Sequence, residues 1–496
     1  MKKVIALLLV VLMLVSLCAC GGEADTDAGA NNAGEATETT GAPKETTGET
    51  DDSNAAEPAY TGLQVGYSKM CITPDYEVGL GGYSDAETRT AQNRVEDVYI
   101  TCIAVKSGEE TILVYTIDNC SFDHNQAEML RAQIKNTIGI KGEKVFVGAT
   151  HTHNAPAFSA YDNASRYLAD VVNIGGQAAQ AALADLTPAT LSRARAVHEG
   201  MNFVRHYILA DGTLVPNSGA NGREDEIVGH PMETDEEMTI LKFDREGDKK
   251  DVLMVNWQTH PDSASSIGYY SISPGFVGPM RNRLESLTGM HVAYFTGAAG
   301  NQNPVSKWKE ENHGMKWHEY GEALADCAYA MMDQFEPVQG ETIKTSRYTI
   351  DAPVDHSWDH MLAQANEVYE VWKRDGKEAG DALGATYGFT SSYQARAIRS
   401  RARMSLTTPM EINTFCIGDI GFTTGTYEMF STNALFVKEN SPYETTFVIC
   451  GTSTYMPADI AYTYRGYEQD TTLYARGTGE MFADQYVKML TEMKNS

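Results

Sequence analysis

From residue 61 to 496 the chain alternates short apolar runs of strand length with longer runs of helical spacing, and this alternation limits its fold more than any other feature. Residues 97–105, 111–117, 144–147, 239–243, 252–257, 292–295 and 447–450 read as strands. Residues 125–136, 167–186, 317–332, 357–372 and 480–492 repeat their apolar positions with a helical period. Strands interleaved with helices bury both kinds of apolar face only by layering, so the spacing predicts an α/β fold with helices packed on a mixed β-sheet core. No second linker, low-complexity break or internal repeat interrupts residues 61–496, which predicts a single large domain.

The N-terminus has a different character. Lys2 and Lys3 precede an unbroken apolar run at 4–15, too short to span a bilayer and right for the apolar part of a secretory signal. It ends in Leu17-Cys18-Ala19-Cys20-Gly21, which resembles the bacterial lipoprotein signal. That resemblance implies a signal peptide at 1–19, cleavage before Cys20, lipidation of Cys20, and a lipid anchor on the extracytoplasmic face of the cell membrane; a plain cleaved signal peptide is the alternative. Residues 21–60 are Gly, Ala, Thr, Glu and Asp with hardly an apolar side chain, a composition that cannot bury enough surface to fold. Ten acidic residues there against Lys44 contribute a net −9 to the chain's formal −28, and the domain that follows is acidic too. Phosphate neutralisation needs clustered Lys and Arg, so the charge argues against nucleic acid as a partner.

Three predicted strands run into polar, turn-rich loops. The run at 144–147 leads into Gly148-Ala149-Thr150-His151-Thr152-His153-Asn154-Ala155-Pro156. If the strand continues, His151 and His153 share a face by alternation, and Pro156 stops it shortly after. Imidazole is a common ligand of zinc. The strand at 252–257 runs into Gln258-Thr259-His260-Pro261-Asp262, and that at 292–295 into Thr296-Gly297-Ala298-Ala299-Gly300-Asn301-Gln302-Asn303-Pro304. Ligands in α/β folds sit at such strand ends, so the three loops are read as walls of one pocket.

The order Ile72-Thr73-Pro74, Leu80-Gly81-Gly82-Tyr83, His-Thr-His-Asn-Ala-Pro, Glu237-Met238-Thr239-Ile240-Leu241-Lys242-Phe243, Thr-His-Pro and Gly-x-x-Gly-Asn-Gln-Asn-Pro resembles the neutral ceramidases, from about Gly62 to the C-terminus. The resemblance implies a zinc-dependent amidohydrolase acting on a lipid or other small substrate. It places His151, His260, Glu428 and Tyr455 on Zn2+, His153 against the oxygen of the scissile bond, Tyr467 on the oxyanion, and Arg205 on a polar group of the substrate. Glu428, in Gly425-Thr426-Tyr427-Glu428-Met429-Phe430, is expected to begin a helix after a strand at 411–420. Each residue also has a plainer reading: surface or capping histidines, a Glu favouring a helix N-terminus, a packed tyrosine cluster with Tyr462 and Tyr464, a solvated Arg205.

One departure matters. Neutral ceramidases carry Gly-Asp-x-Ser-Pro where this chain has Gly300-Asn301-Gln302-Asn303-Pro304, so Asn303 stands in the place of the family's catalytic serine. An amide is neither nucleophile nor general base, which leaves a water activated by zinc as the nucleophile, its pKa lowered from 15.7 to about 7. The substitution puts ceramide itself in question. A zinc esterase or deacylase acting on a glycan or lipid, and a lipoprotein that binds its ligand without cleaving it, are the two alternatives. The cysteines beyond Cys20 are scattered without Cys-x-x-Cys spacing, and buried free thiols are expected.

Overall fold

The computed structural model describes residues 61–83, 88–159, 161–262, 264–304, 315–451 and 454–496; Cys20, the signal peptide and the acidic tether lie outside them. The described residues belong to one unit, Ala59–Ser496. Its centre is two β-sheets laid face to face. The larger is built from β1 (Gln64–Cys71), β2 (Tyr99–Ser107), β3 (Glu110–Ile117), β4 (Val145–Ala149), β5 (Thr187–Val197), β6 (Glu237–Arg245), β7 (Val252–Trp257) and β8 (His291–Thr296). They lie in the order β8-β7-β6-β5-β1-β2-β3-β4, with the short strand Glu336–Pro337 added on β5. The smaller sheet has the order β9 (Ile343–Pro353), β10 (Thr407–Ile417), β11 (Ile420–Gly425), β12 (Thr445–Cys450).

Period-two alternation accounts for the layering. Ile103 and Val105 of β2, Ile112 and Val114 of β3, Val252 and Met254 of β7, and Ala293 and Phe295 of β8 point inward, where they meet Phe415, Ile417, Phe422, Phe447 and Ile449 of the smaller sheet. The alternate residues point outward. Cys102, Leu113 and Tyr115 pack under α1 (His124–Ile138) and α2 (Ala164–Ala184), while Leu253, Val255 and Tyr294 pack under α3 (Val277–Thr288) and α4 (Trp317–Tyr329). The outer face of the smaller sheet is covered by helices over Ser431–Asn440 and Thr478–Asn495. The layers therefore run helix, sheet, sheet, helix. The expected mixed sheet layered with helices is present, divided into two.

A stack of rings joins the sheets. Phe415 lies 4.2 Å from Phe146 on one side and 4.2 Å from Phe422 on the other, all three buried. Offset stacking adds about 0.5–1.5 kcal/mol per pair beyond burial, and Phe415→Ala in such a site costs about 3–5 kcal/mol.

Within the two main sheets three strand pairs are parallel: β3 with β4, β7 with β8, and β11 with β12. Parallel neighbours need a crossover connection, and a helix lies within each: α1, α3 and Ser431–Asn440. The loops leaving the carboxyl ends of these strands gather on one side. Thr116 Oγ1 of β3 donates to the Tyr294 carbonyl of β8 (2.6 Å), so the edges of the larger sheet curl toward each other. Asn256 Nδ2 donates to the carbonyls of Phe295 and Val448, both at 3.0 Å, pinning β7 to β8 and to β12 of the smaller sheet. All six cysteines of the described residues are free thiols.

A candidate metal centre at the strand ends

The four sequence segments meet through backbone hydrogen bonds. His151 N donates to the Asn119 carbonyl (2.8 Å), and Thr296 Oγ1 to the Thr150 carbonyl (2.8 Å). His260 N donates to Gln302 O (2.9 Å), Gly300 N to Met429 O (3.0 Å), and Glu428 N to Thr454 O (2.8 Å). Gly300 is required where it stands: a Cβ there would lie 2.6 Å from the Glu428 carbonyl, so any side chain would push the two segments apart.

His151 and His153 come together by a route other than the expected strand alternation. β4 ends at Ala149, and His151 takes a left-handed backbone at φ 66°, unusual for a residue with a Cβ. The turn brings His151 Nε2 to 2.9 Å from His260 Nε2 and 3.3 Å from His153 Nε2. Glu428 also departs from expectation. It begins no helix; Glu428–Met429 is a two-residue strand paired in parallel with Tyr455–Met456, and the helix starts at Ser431. The pairing with Tyr455 and the bond from Gly300 hold this backbone extended. The expected strand at 411–420 is the hairpin of β10 and β11.

One carboxylate oxygen of Glu428 lies 3.5 Å from His151 Nε2 and 4.0 Å from His260 Nδ1, and the three residues offer ligand atoms within 4.8 Å of one another. Cross-strand pairing sets Tyr455 beside Glu428, where its hydroxyl favours the charged carboxylate against burial. His151 Nδ1 faces the Cys120 carbonyl (2.6 Å) and His260 Nδ1 the Ala299 carbonyl (3.2 Å). Assigned from these acceptors, the Nδ1 atoms carry the protons, and both Nε2 lone pairs face the cluster. Burial raises the Glu428 carboxyl above its usual range, and burial with the neighbouring His151 takes His260 well below its own. The Glu428 oxygen nearest the imidazoles is buried and accepts no hydrogen bond. Two convergent lone pairs beside an unpartnered carboxylate oxygen repel one another; a cation among them removes the conflict.

His153 stands next to the cluster, covered by the Gly82-Tyr83 segment. Gly82, at φ 98°, lies so close that a Cβ would come within 2.6 Å of His153 Cβ, and the Tyr83 ring meets the imidazole edge-on at 5.1 Å. Tyr83 hydrogen-bonds Asp262, whose carboxylate is 3.8 Å from His153 Nδ1. Burial takes His153 down to about 3, with Asp262 opposing and His151 adding to the shift. Buried Arg89 lies against the rings of Tyr83 and Tyr269 and donates to the carbonyls of Gly81 and His153, both at 2.7 Å. Sequence reasoning misses Arg89, Tyr83 and Asp262 as site residues, although Asp262 directly follows the His-Pro pair.

Arg205 lies beneath the cavity floor rather than along its wall. Its guanidinium donates to Glu468 Oε1 (2.7 Å), Asn303 Oδ1 (3.2 Å), Gly300 O (2.9 Å) and the Tyr455 hydroxyl (3.2 Å). Burial opposes its charge, yet Glu468, Tyr455 and Glu428 together outweigh burial and hold it protonated. Asn303 is therefore tied to Arg205. Asn301 is fully buried, accepting from Ser431 N (2.8 Å) and donating to Ser431 Oγ (3.1 Å) at the start of the helix. Tyr467 is half-exposed, its ring edge-on to Tyr455 and to Tyr393. A cavity of about 420 Å³ opens onto His151, His153, Glu428, Tyr455 and Tyr467. Its other wall belongs to the helix Ser392–Arg401, which carries no motif in the sequence.

The curled double sheet with its strand-end pocket is the fold of the neutral ceramidases. The structure of neutral ceramidase from Pseudomonas aeruginosa superposes with a TM-score of 0.64 at 17% identity, over 88% of this chain and 75% of that one. A ceramidase complexed with C2 superposes with a TM-score of 0.66 at 17% identity, over 88% of this chain and 76% of that one. No protein-family model matches the sequence, and no curated protein matches it.

Proposed function

We propose that the protein is a zinc-dependent hydrolase that cleaves an acyl amide, with acyl esters as a second substrate type on the same machinery. The observation that carries this reading is the convergence of two buried Nε2 lone pairs and the unpartnered Glu428 oxygen at one point beside a cavity. Two imidazoles, a carboxylate and the Tyr455 phenol form a nitrogen and oxygen donor set that suits zinc, and His151, His260, Glu428 and Tyr455 would hold it. Zinc in such a set supplies Lewis acidity and makes water nucleophilic near neutral pH.

The remaining steps fall to the chain's own side chains. The Tyr467 hydroxyl of this half-exposed ring is protonated at neutral pH, the more so because desolvation and Glu428 raise its pKa, and it can donate to an oxyanion developing in the cavity. Removing one donor of that kind typically raises a barrier by about 2.7–4 kcal/mol. His153 Nε2 lies at the cluster, 3.3 Å from His151 Nε2, while its Nδ1 faces Asp262; burial keeps the imidazole neutral at rest and Asp262 favours its charged form, so Nε2 is placed to take a proton from the attacking water and pass it to the leaving group. Arg205 fixes Tyr455 and Asn303 from below, a positioning role in place of the direct substrate contact expected of it. Asn303, with its amide oxygen held by Arg205, supplies no nucleophile. Cys120 has its sulfur 3.8 Å from His151 Nδ1, but burial and the nearby Glu428 raise its pKa, so the thiol stays protonated and is no nucleophile either.

Small or lipid acyl compounds are the proposed partners, and Cys20 the proposed membrane anchor. Among the described residues no helix is long and apolar enough to cross a membrane. The test is metal analysis of the purified chain together with a panel of acyl amides and acyl esters, with and without a zinc chelator. The expected result is about one zinc per chain, lost in His151→Ala and in His260→Ala, and hydrolysis that the chelator abolishes. Chelator-resistant hydrolysis, or full zinc in both variants, overturns the proposal.

A further inference from the structure

We propose that this hydrolase selects substrates carrying an anionic group, a carboxylate, sulfonate or phosphate, through Arg396 on the cavity wall; the inference rests on the hydrolytic reading above and specifies its substrate class.

The wall opposite the metal centre is one face of the helix Ser392–Arg401. Tyr393, Arg396, Ala397 and Ser400, spaced three and four apart, all reach the cavity. This helix belongs to a three-helix insertion, Leu362–Asp375, Lys377–Thr386 and Ser392–Arg401, lying between the first two strands of the smaller sheet. The insertion has its own apolar centre of Ala365, Val368, Phe389, Ala395 and Ile398. Arg401 anchors it by donating to the Thr472 carbonyl (3.0 Å) and pairing with Asp355 (3.2 Å). The wall is therefore positioned from behind, leaving its front face for a ligand.

Among the described residues Arg396 is the only Arg or Lys lining the cavity, and it has no hydrogen bond or ion pair there. The other two guanidiniums of the site differ from it. Arg89 is held by three carbonyls, and Arg205 by Glu468, Asn303, Gly300 and Tyr455. A free guanidinium fork matches the paired oxygens of a carboxylate, sulfonate or phosphate, with which it forms charge-assisted bidentate bonds.

The rest of the lining agrees with a polar substrate. Among the described residues Ala397 and Leu473 are its only aliphatic side chains; apart from Gly82, the others carry hydroxyl, imidazole, thiol, carboxylate or guanidinium groups. About 420 Å³ falls in the range of cavities that enclose a single small ligand. The rings of Tyr83, Tyr393, Tyr455 and Tyr467 leave apolar surface for a short acyl chain, but a cavity of about 420 Å³ does not enclose two long hydrocarbon chains. A compact acyl compound whose charged end reaches Arg396 while its carbonyl reaches the metal centre uses both sides of the cavity.

The test uses the full chain loaded with zinc and matched pairs of probes: N-acetylglycine and N-octanoylglycine against their glycinamides, and N-octanoyltaurine and O-phospho-N-octanoylethanolamine against N-octanoylethanolamine. The pairs separate carboxylate, sulfonate and phosphate. For at least one pair the charged member is expected to exceed its neutral partner by about tenfold or more in kcat/KM, the scale of one well-placed ionic contact. Arg396→Ala should bring that ratio to within about twofold, Arg396→Lys should keep part of it, and Arg396→Glu should invert it. Equal kcat/KM for both members of every pair in the unmodified protein, or an Arg396→Ala change that lowers both members alike, overturns the inference while leaving the hydrolase standing. If no probe is hydrolysed, calorimetric titration with the same compounds decides: charged-probe binding lost in Arg396→Ala keeps the anion site and removes the hydrolase, and no binding removes both.

Discussion

Replacing Glu428 by Gln should move stability in opposite directions depending on whether zinc is present. Without metal, the carboxylate is buried among imidazoles with one oxygen accepting nothing, the arrangement in which a buried charge costs most. The substituted amide keeps the shape, removes the charge and keeps an oxygen for the Tyr455 hydroxyl. Relief of an unsatisfied buried group is worth about 1–3 kcal/mol. At about 2.1 cal/mol/K per residue, unfolding entropy for a domain of residues 61–496 is about 0.9 kcal/mol/K, so the metal-free variant should melt about 1–3 °C above the wild type. With zinc at a hundredfold excess over its Kd the wild type gains about 2.7 kcal/mol, or about 3 °C, whereas the variant, short of an anionic ligand, gains little. Thermal melts of both proteins in chelator and in zinc, with metal content measured on the same samples, give the four values needed. Equal zinc-dependent shifts in the two proteins would refute the reasoning, since Glu428 would then hold no metal; a less stable metal-free variant would show that the carboxylate is already satisfied by its neighbours.

Asn303→Ala, which removes only an acceptor of Arg205, should slow hydrolysis less than tenfold, or about 1.4 kcal/mol, whereas Tyr455→Phe should remove most zinc and activity; similar losses in both variants would contradict the positioning role. Asn301→Asp should destabilise by about 1–3 kcal/mol in denaturant melts, because it leaves Ser431 Oγ without its donor and buries a charge. Burial alone would raise Glu411, but Arg131, Asn413 and Arg347 together bring it below 4.5, so its ion pairs stabilise the fold above that pH and the contribution is lost as pH falls through the folded-state value. Glu411→Gln should therefore flatten the acid limb of the stability curve while lowering stability at pH 7. Cys20→Ser should release a folded protein from the membrane fraction, and persistence in that fraction would remove the lipid anchor.

Much of the fold is legible because strand alternation leaves a mark in the sequence. Residues 252–257 read as the strand they form, and the three loops that follow β4, β7 and β8 read as one pocket. The split into two sheets is not legible. Phe415 and Phe295 look alike as apolar strand residues, and period two says which residues share a face without saying which sheet that face meets. β5 escapes notice because it carries Arg193 and Arg195 within its run, both paired with Glu side chains in the structure. Of the site, His151, His260, Glu428 and Tyr455 can be named together only by resemblance to the neutral ceramidases. Their proximity depends on a left-handed His151 and a two-residue strand pairing, which no local pattern encodes. Arg396 is equally hidden, because an exposed arginine on a helix carries no mark of what it faces.

The Glu428 to Tyr455 pairing and the two histidine loops would also decide when in the life of the chain the proposed metal is captured. His151 and Tyr455 stand 304 residues apart (455 − 151), and the candidate ligands sit on segments that follow strands of both sheets. Contacts so distant in sequence form late, after the loop-closure entropy between them has been overcome, so a growing or half-folded chain holds the histidines apart. If the chain holds the zinc proposed for it, loading would be the final step of maturation and would report that both sheets have docked. A truncated chain ending before Glu428 would keep its histidines and lose the centre.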